Sequence, residues 1–220
     1  MTKTFYFVRH GESQSNAGEK TSHPVVTRLT QKGHLQAKEA ALSFPAKPDI
    51  LITSRYLRTK QTADPFLERF ENIAQAEWNI HEFTYLLTSR YKDTTNAERR
   101  PFILKYWESA DPLYKEDESA ESFAEFVGRC RETVGLMKDY KGSLALAFSH
   151  GYLMKGILFC LQGRFDRMDP DTMRDFWSYH KNYVVGNCSR LKFEIAHGGT
   201  IELKESDITK RNRDPEVMID

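Results

Sequence analysis

The chain has 220 residues, 40% of them hydrophobic and 12% aromatic, which suits one compact domain with an embellishment and excludes a disordered chain. Lys and Arg number 32 against 31 Asp and Glu, a net charge of +1 that lacks the basic excess of a general nucleic-acid binder. The longest apolar runs, such as residues 157–161, fall short of the about twenty residues a membrane span needs, and residues 5–8 are too short for a signal-peptide core. Cys130, Cys160 and Cys188 form neither a disulfide framework nor a zinc pattern, so the expected setting is reducing and cytoplasmic, with no membrane or nucleic-acid partner.

Strands and helices alternate along the chain. Residues 4–8 form a short aromatic and β-branched run, as expected of a buried parallel strand. Thr30 is placed to cap a helix running to about residue 44, with Leu35, Ala41 and Leu42 on its inner face and Pro45 ending it. A second strand is expected over 49–53. Ser54 then stands where a cap belongs, ahead of Thr62, Ala63, Phe66, Leu67 and Phe70 at helical spacing. A weaker strand is expected over 76–80. Residues 83 to about 118 have little period except near 102–107 and read as an inserted lid over one edge of the domain.

From about Glu121, the residues Phe123, Phe126, Val127, Cys130, Val134 and Met137 make one apolar helical stripe. Residues 143–148 are the clearest buried strand, and a helix follows over 152–161. Asp169-Pro170-Asp171 marks a turn and a helix start. Leu191, Phe193 and Ile195 alternate ahead of His197-Gly198-Gly199, and Ile201 and Leu203 after it, which is a hairpin signal. The domain is expected to span 1–204, with 205–220 a polar, frayed tail. Trp78, Trp107 and Trp177 are read as packing residues.

Two strands end alike: Phe7-Val8-Arg9-His10-Gly11 and Ala147-Phe148-Ser149-His150-Gly151. Parallel strands present their C-terminal ends at one edge of an open sheet, where ligands bind. If these strands are neighbours, both imidazoles face one crevice, and the glycine after each lets backbone approach a ligand. The strand ending at Thr53 would bring Ser54 and Arg58 to the same edge. Two His with two Arg suit a tetrahedral anion, because the guanidinium fork binds phosphate oxygens and keeps its charge. A neutral imidazole of fixed tautomer is a competent nucleophile toward phosphorus.

These residues sit in a wider pattern. Arg9-His10-Gly11-Glu12-Ser13 with Asn16 resembles the signature of the histidine phosphatase superfamily, the phosphoglycerate mutase-like enzymes. Leu29-Thr30, Gly33 and Gln36-Ala37 resemble its next block, Ser54, Arg58 and Gln61-Thr62-Ala63 a third, and Ser149-His150-Gly151 a fourth. The resemblance covers residues 4 to about 195. It implies a three-layer α/β/α sandwich with a mixed, mainly parallel sheet. It also implies metal-independent, cofactor-free hydrolysis of a phosphorylated small molecule through a phosphohistidine on His10. Arg9, Arg58 and His150 would complete the phosphate pocket. Asn16, Gly151 and Tyr152 would bind substrate, although Tyr152 fits a surface or capping role equally. The proton donor would follow the weaker strand, where Glu82 matches best and Glu77, Glu98 and Glu108 are rivals.

The chain also departs from the family. Thr27-Arg28 replaces a customary aspartate, and Ser54-Arg55-Tyr56 replaces Ser-Pro-Leu. The glycine-rich stretch that serves mutases is absent after Glu82, while Arg99-Arg100 lies closer to Glu82 than the paired arginines of mutases. A mutase-type phosphotransferase and a non-catalytic phospho-ligand binder are the alternatives. Sugar phosphates, nucleotides, phosphoprotein side chains and phosphorylated cofactors all remain open as substrates. His23, His34, His81, His180 and His197 have no metal-ligand spacing, and His81-Glu82 lacks the second His of a zinc-protease helix.

Overall fold

Alternation within a single strand dictates the architecture. In β1 (Lys3–Arg9), Phe5 and Phe7 point to one face and Tyr6 and Val8 to the other, and all four are buried, so the strand needs cover on both sides. The computed structural model describes residues 2–211. After β1 come α1 (Gln31–Ser43), β2 (Ile50–Thr53), α2 (Leu57–Arg69), β3 (Ala74–Glu77), a 3-10 turn at Thr88–Tyr91 and α3 (Asn96–Ser109). Then follow α4 (Phe123–Asp139), β4 (Leu144–Ser149), α5 (Gly151–Leu161), α6 (Pro170–Asn182), β5 (Tyr183–Val184), β6 (Arg190–Ile195), β7 (Ile201–Ser206) and β8 (Thr209–Lys210).

A six-stranded sheet has the order β3-β2-β4-β1-β6-β7. The first four strands are parallel, and β6 and β7 are antiparallel additions at one side. One face packs Tyr6, Val8, Leu51, Leu146 and Phe148 against Ala41 and Phe44 at the end of α1 and Ala63 and Phe66 of α2. The other face packs Phe5, Phe7, Ile52, Ala145 and Ala147 against Phe123, Phe126 and Val127 of α4, Ile157 of α5 and Phe176 of α6. The expected mixed, mainly parallel α/β/α sandwich is therefore the fold.

Several local expectations are corrected. Leu35 and Leu42 are 58% and 66% exposed, and α1 instead buries Gly33, Ala37 and Ala41, because its small face lies close to the loop after β1 and to α2. Ser54 does not cap α2. Tyr56 occupies the N-cap position without a side-chain cap, and the Ser54 hydroxyl is bonded to His150 and Thr59. The weaker strand is Ala74–Glu77 rather than 76–80. Ladder pairing with β2 stops at Thr53↔Glu77, after which Ile80 N–H bonds to the Trp78 carbonyl and turns the chain away. The tail expected from residue 205 begins later: β7 continues to Ser206, and Thr209 and Lys210 pair with Val184 and Tyr183. Residues 212–220 of that tail lie outside the described residues.

The segment of residues 84–121 closes on itself through a 2.8 Å bond from Glu121 N–H to the Thr84 carbonyl. A capping box between Thr95 and Glu98 starts α3. Its Ile103, Tyr106 and Trp107, with Tyr85 and Leu86, are buried in the same core as Phe123, Tyr152 and Phe176. The segment is thus an extension of the core.

Gly11 and Gly33 mark the tightest contact. A Cβ on Gly33 would stand 2.0 Å from the Glu12 carbonyl oxygen, and one on Gly11 would stand 2.5 Å from the Gly33 oxygen. Alanine ordinarily improves a helix interior by up to about 1 kcal/mol relative to glycine. Gly33→Ala should here destabilise instead, by about 3 kcal/mol, since backbone must move. Urea unfolding checks this; an unchanged midpoint would contradict the contact.

Candidate active site

The pairing of β1 with β4 decides where the chemistry sits. The strands are parallel and in register at Arg9↔Ser149, so His10 and His150 leave the sheet side by side, with ring centroids 5.1 Å apart. β2 lies on the other side of β4, with Thr53 opposite Phe148, and delivers Arg58 from the first turn of α2. Arg9, His10, Asn16, Arg58, Glu82, Gly151 and Tyr152 line one cleft of about 120 Å³. His150 is one layer deeper, fully buried, with Arg58 between it and the cleft.

Hydrogen bonds fix both imidazole tautomers. His10 Nδ1 donates to the Gly11 carbonyl at 2.7 Å, which leaves Nε2 as the lone-pair nitrogen, and Arg58 Nε donates to it at 3.1 Å. Arg58 Nη2 donates to His150 Nδ1 at 3.0 Å, so the His150 proton is on Nε2 and is donated to Ser54 Oγ at 2.9 Å. Ser54 passes its own proton to Thr59 Oγ1 at 3.0 Å, and Thr59 donates to the Tyr56 carbonyl at 2.7 Å. Burial, then the charges of Arg58 and Arg9, hold the His10 pKa well below 6.5. Burial, Arg58 and His10 do the same for His150. Both rings are neutral at physiological pH.

Both cations are buried and bond to backbone carbonyls or imidazoles. Arg9 Nη1 donates to the Val185 carbonyl at 2.5 Å, and its buried Nε has no partner. Arg58 Nη1 donates to the Pro24 carbonyl at 2.7 Å, and its guanidinium lies 4.7 Å from the Tyr56 ring centroid. Neither forms an ion pair with a carboxylate among the described residues. Leaving charge uncompensated in a buried site is costly, so an anion entering this cleft is strongly favoured.

Glu82 is the one carboxylate lining the cleft among the described residues. Its Oε1 accepts from the backbone N–H groups of Phe83 and Tyr152, each at 3.1 Å, and Tyr152 belongs to the first turn of α5. Burial is the largest influence and raises the Glu82 pKa above 4.5, against the opposing charges of Arg58 and Arg9. The rivals lie elsewhere: Glu77 pairs with Lys60, Glu98 belongs to the α3 capping box, and Glu108 is exposed.

Asn16 Oδ1 accepts from Ser13 and from Asn187 Nδ2, so its own amide N–H groups are available to the cleft it lines. The Tyr152 ring stacks on His180 with centroids 3.8 Å apart, and its hydroxyl lies 3.4 Å from that of Tyr85. It is a wall of the cleft. Arg28 and Arg55 are exposed and Arg100 is half-buried, all outside the cleft lining.

Arg99 was not assigned a role from sequence, yet it is 2% exposed, lines the cleft, and bonds only to neutral groups of Thr21, Ser15, Thr94 and Asn96. Asn187 was missed altogether; it donates to the His10 carbonyl at 3.0 Å and to Asn16 at 3.1 Å. The Gly186-Asn187 turn signal was present in the sequence, but its place beside His10 depends on β6 lying next to β1. Among the described residues no cluster of three or more His, Cys, Asp or Glu could hold a metal ion, and no helix is long and apolar enough to cross a membrane.

Chemically, a neutral imidazole with an unprotonated nitrogen, two fixed guanidiniums and a buried carboxyl converge on one small cleft, an arrangement suited to holding a phosphoryl group. Comparison with known proteins gives the family and the fold. The chain is 27% identical over 143 residues to phosphoglycerate mutase 3 of Saccharomyces cerevisiae, a match covering 52% of this chain and 47% of the other, so it spans about half the length of that relative. Its fold is similar to that of phosphoserine phosphatase from Entamoeba histolytica, solved with 3-phosphoglyceric acid, at a TM-score of 0.69 and 21% identity over 93% of this chain and 96% of that one. It is also similar to alpha-ribazole phosphatase from Shigella flexneri, at a TM-score of 0.70 and 18% identity over 93% and 96%. The sequence model of the histidine phosphatase superfamily, branch 1, matches residues 5–206, and the chain belongs to that superfamily.

Proposed function

We propose that this protein is a phosphatase that hydrolyses small phosphomonoesters, without metal or cofactor, through a phosphohistidine on His10. The observation that carries this reading is the pair of buried guanidiniums of Arg9 and Arg58, neither in an ion pair among the described residues, flanking a neutral imidazole whose Nε2 accepts a hydrogen bond from Arg58. His10 Nε2 attacks phosphorus, the bond from phosphorus to the ester oxygen breaks, and Glu82 gives its proton to that oxygen as it leaves. A water then attacks the phosphohistidine, Glu82 takes the water's proton, and the P–N bond breaks to restore neutral His10. Arg9, Arg58 and the Asn16 amide hold the equatorial oxygens. In the unliganded protein His150 contacts Arg58 and keeps that guanidinium aimed at the cleft. A cytoplasmic location rests on the three free cysteines.

Arg99, buried with neutral partners only, favours substrates that carry a second anionic group. With about 1.5 kcal/mol or more expected for a charge-assisted contact, phosphoserine or 3-phosphoglycerate should exceed glycerol phosphate about tenfold in kcat/KM. Phosphate release from such a panel, measured in excess chelator, tests the reading. Absence of turnover on every ester would contradict it, as would activity lost to chelator and restored by metal. Likeness to a mutase supports a second reading, in which a substrate hydroxyl replaces water; phosphate transfer to added glycerate without free phosphate would establish that alternative.

The proton donor is tested by leaving group. An alkoxide needs a proton to depart and nitrophenolate does not, so Glu82→Gln should lower kcat/KM, which covers the steps up to departure of the ester oxygen, by about a hundredfold on alkyl phosphates and leave it far less affected on p-nitrophenyl phosphate. The pH profile carries the same signature. His10 titrates below 6.5 and sets the acidic limb of kcat/KM, whereas Glu82 titrates above 4.5 and sets the basic limb, once ionisation of the substrate is divided out. Glu82→Gln should flatten only the basic limb on alkyl esters. Equal losses on both ester classes would remove Glu82 from that role.

A further inference from the structure

Glu82 stands on irregular backbone. Between Glu77, the last residue of β3, and the 3-10 turn at Thr88 there is no regular structure, so no ladder holds the acid in position. Buried irregular backbone must find its hydrogen-bond partners among side chains. Here two carbonyls, and through Glu121 both backbone groups of Thr84, trace to one side chain in the middle of α4.

Arg129 is 5% exposed, and its guanidinium is shared between this stretch and the Glu121 carboxylate. Nη1 donates to the carbonyls of Asn79 at 3.2 Å and His81 at 2.6 Å, on the N-terminal side of Glu82. Nε and Nη2 donate to the two carboxylate oxygens of Glu121, each at 2.8 Å. Glu121 in turn grips the C-terminal side: its Oε2 accepts from Thr84 N–H at 3.4 Å, and its own N–H donates to the Thr84 carbonyl at 2.8 Å. Two smaller contacts complete the frame, from Ser149 Oγ to the Ile80 carbonyl and from His81 Nδ1 to the Glu82 carbonyl, both at 2.8 Å.

We infer that Arg129, braced by Glu121, is a positioning residue for Glu82, fixing the backbone on both sides of the acid so that its carboxyl meets the leaving oxygen. This rests on Glu82 being the proton donor. The fork explains the residue type. One planar group supplies four bonds in different directions, two to carbonyls and two to a carboxylate, which a lysine ammonium with its donors at a single point cannot reproduce. Arg129 lies outside the cleft lining and touches no reacting atom, so its removal acts through geometry. A misplacement of about 1 Å in a catalytic group costs up to about a hundredfold.

The test is Arg129→Lys, which keeps the charge beside Glu121 and loses the fork, assayed with Glu82→Gln and the double variant. Arg129→Lys should lower kcat/KM on glycerol phosphate about tenfold or more and leave kcat/KM on p-nitrophenyl phosphate within about twofold. In the Glu82→Gln background the same change should add no further loss on glycerol phosphate, because the group it positions is already gone. Near-UV circular dichroism establishes that each variant is folded. If Arg129→Lys fails to fold, the neutral pair Arg129→Gln with Glu121→Gln is read by the same criteria. Equal losses on both esters would overturn the inference, as would no loss on either or a full further loss on top of Glu82→Gln. A Glu82→Gln variant without leaving-group selectivity would overturn the proton-donor reading and this one with it. A selective Glu82→Gln beside a non-selective Arg129→Lys would overturn this one alone.

Discussion

The parallel register of β1 and β4 is the constraint from which the site follows. Arg9 opposite Ser149 means that the residues after each strand emerge at one level of one sheet edge, so His10 and His150 are neighbours before any side chain chooses a rotamer. Into the gap above them come two guanidiniums, neither of which forms an ion pair with a carboxylate among the described residues. Burial and those charges keep both imidazoles unprotonated. The folded protein therefore holds an excess of buried positive charge that an anion would offset, and the unprotonated Nε2 of His10 stands beside the place where that anion would sit.

The surrounding residues act as joints of the loop that follows β1. Thr62 Oγ1 accepts from Gly11 N–H, Gln36 Oε1 from Glu12 N–H and Gln61 Oε1 from Leu29 N–H. Thr30 caps α1 through Gly33 N–H, while its own N–H reaches the Glu12 carbonyl. Gly11 and Gly33 allow the close approach that these bonds require. The second and third family blocks thus have a mechanical reason: they clamp the His10 loop onto α1 and α2. Asn187 adds a clamp from the other side through the His10 carbonyl.

The layer architecture was legible in the sequence, because strands such as β1 and β4 are apolar on both faces and helices bury regular stripes. The repeated strand-His-Gly ending pointed to the pairing that brings His10, Arg9, Arg58 and His150 together. Boundaries were misread where local pattern and tertiary pairing compete. β3 is an exposed edge strand without apolar alternation, so its register is set by β2. Leu35 and Leu42 look like an inner face, yet the real inner face of α1 is made of residues small enough for backbone contact. Ser54 has the chemistry of a cap and is recruited by His150 instead. Arg99, Arg129 and Asn187 could not be placed from local pattern, since the contacts that carry them to the site, with Thr21, His81 and His10, span 78, 48 and 177 residues.

The central claim is that His10 Nε2 takes the phosphoryl group. Rapid acid-free quenching during turnover of a ³²P-labelled ester, followed by proteolysis and peptide mass spectrometry, measures this directly. The account predicts an acid-labile, alkali-stable phosphoryl group on His10, absent from His10→Ala, which keeps its fold and loses turnover by at least about a thousandfold. Label on another residue, or near-normal turnover in His10→Ala, would contradict it.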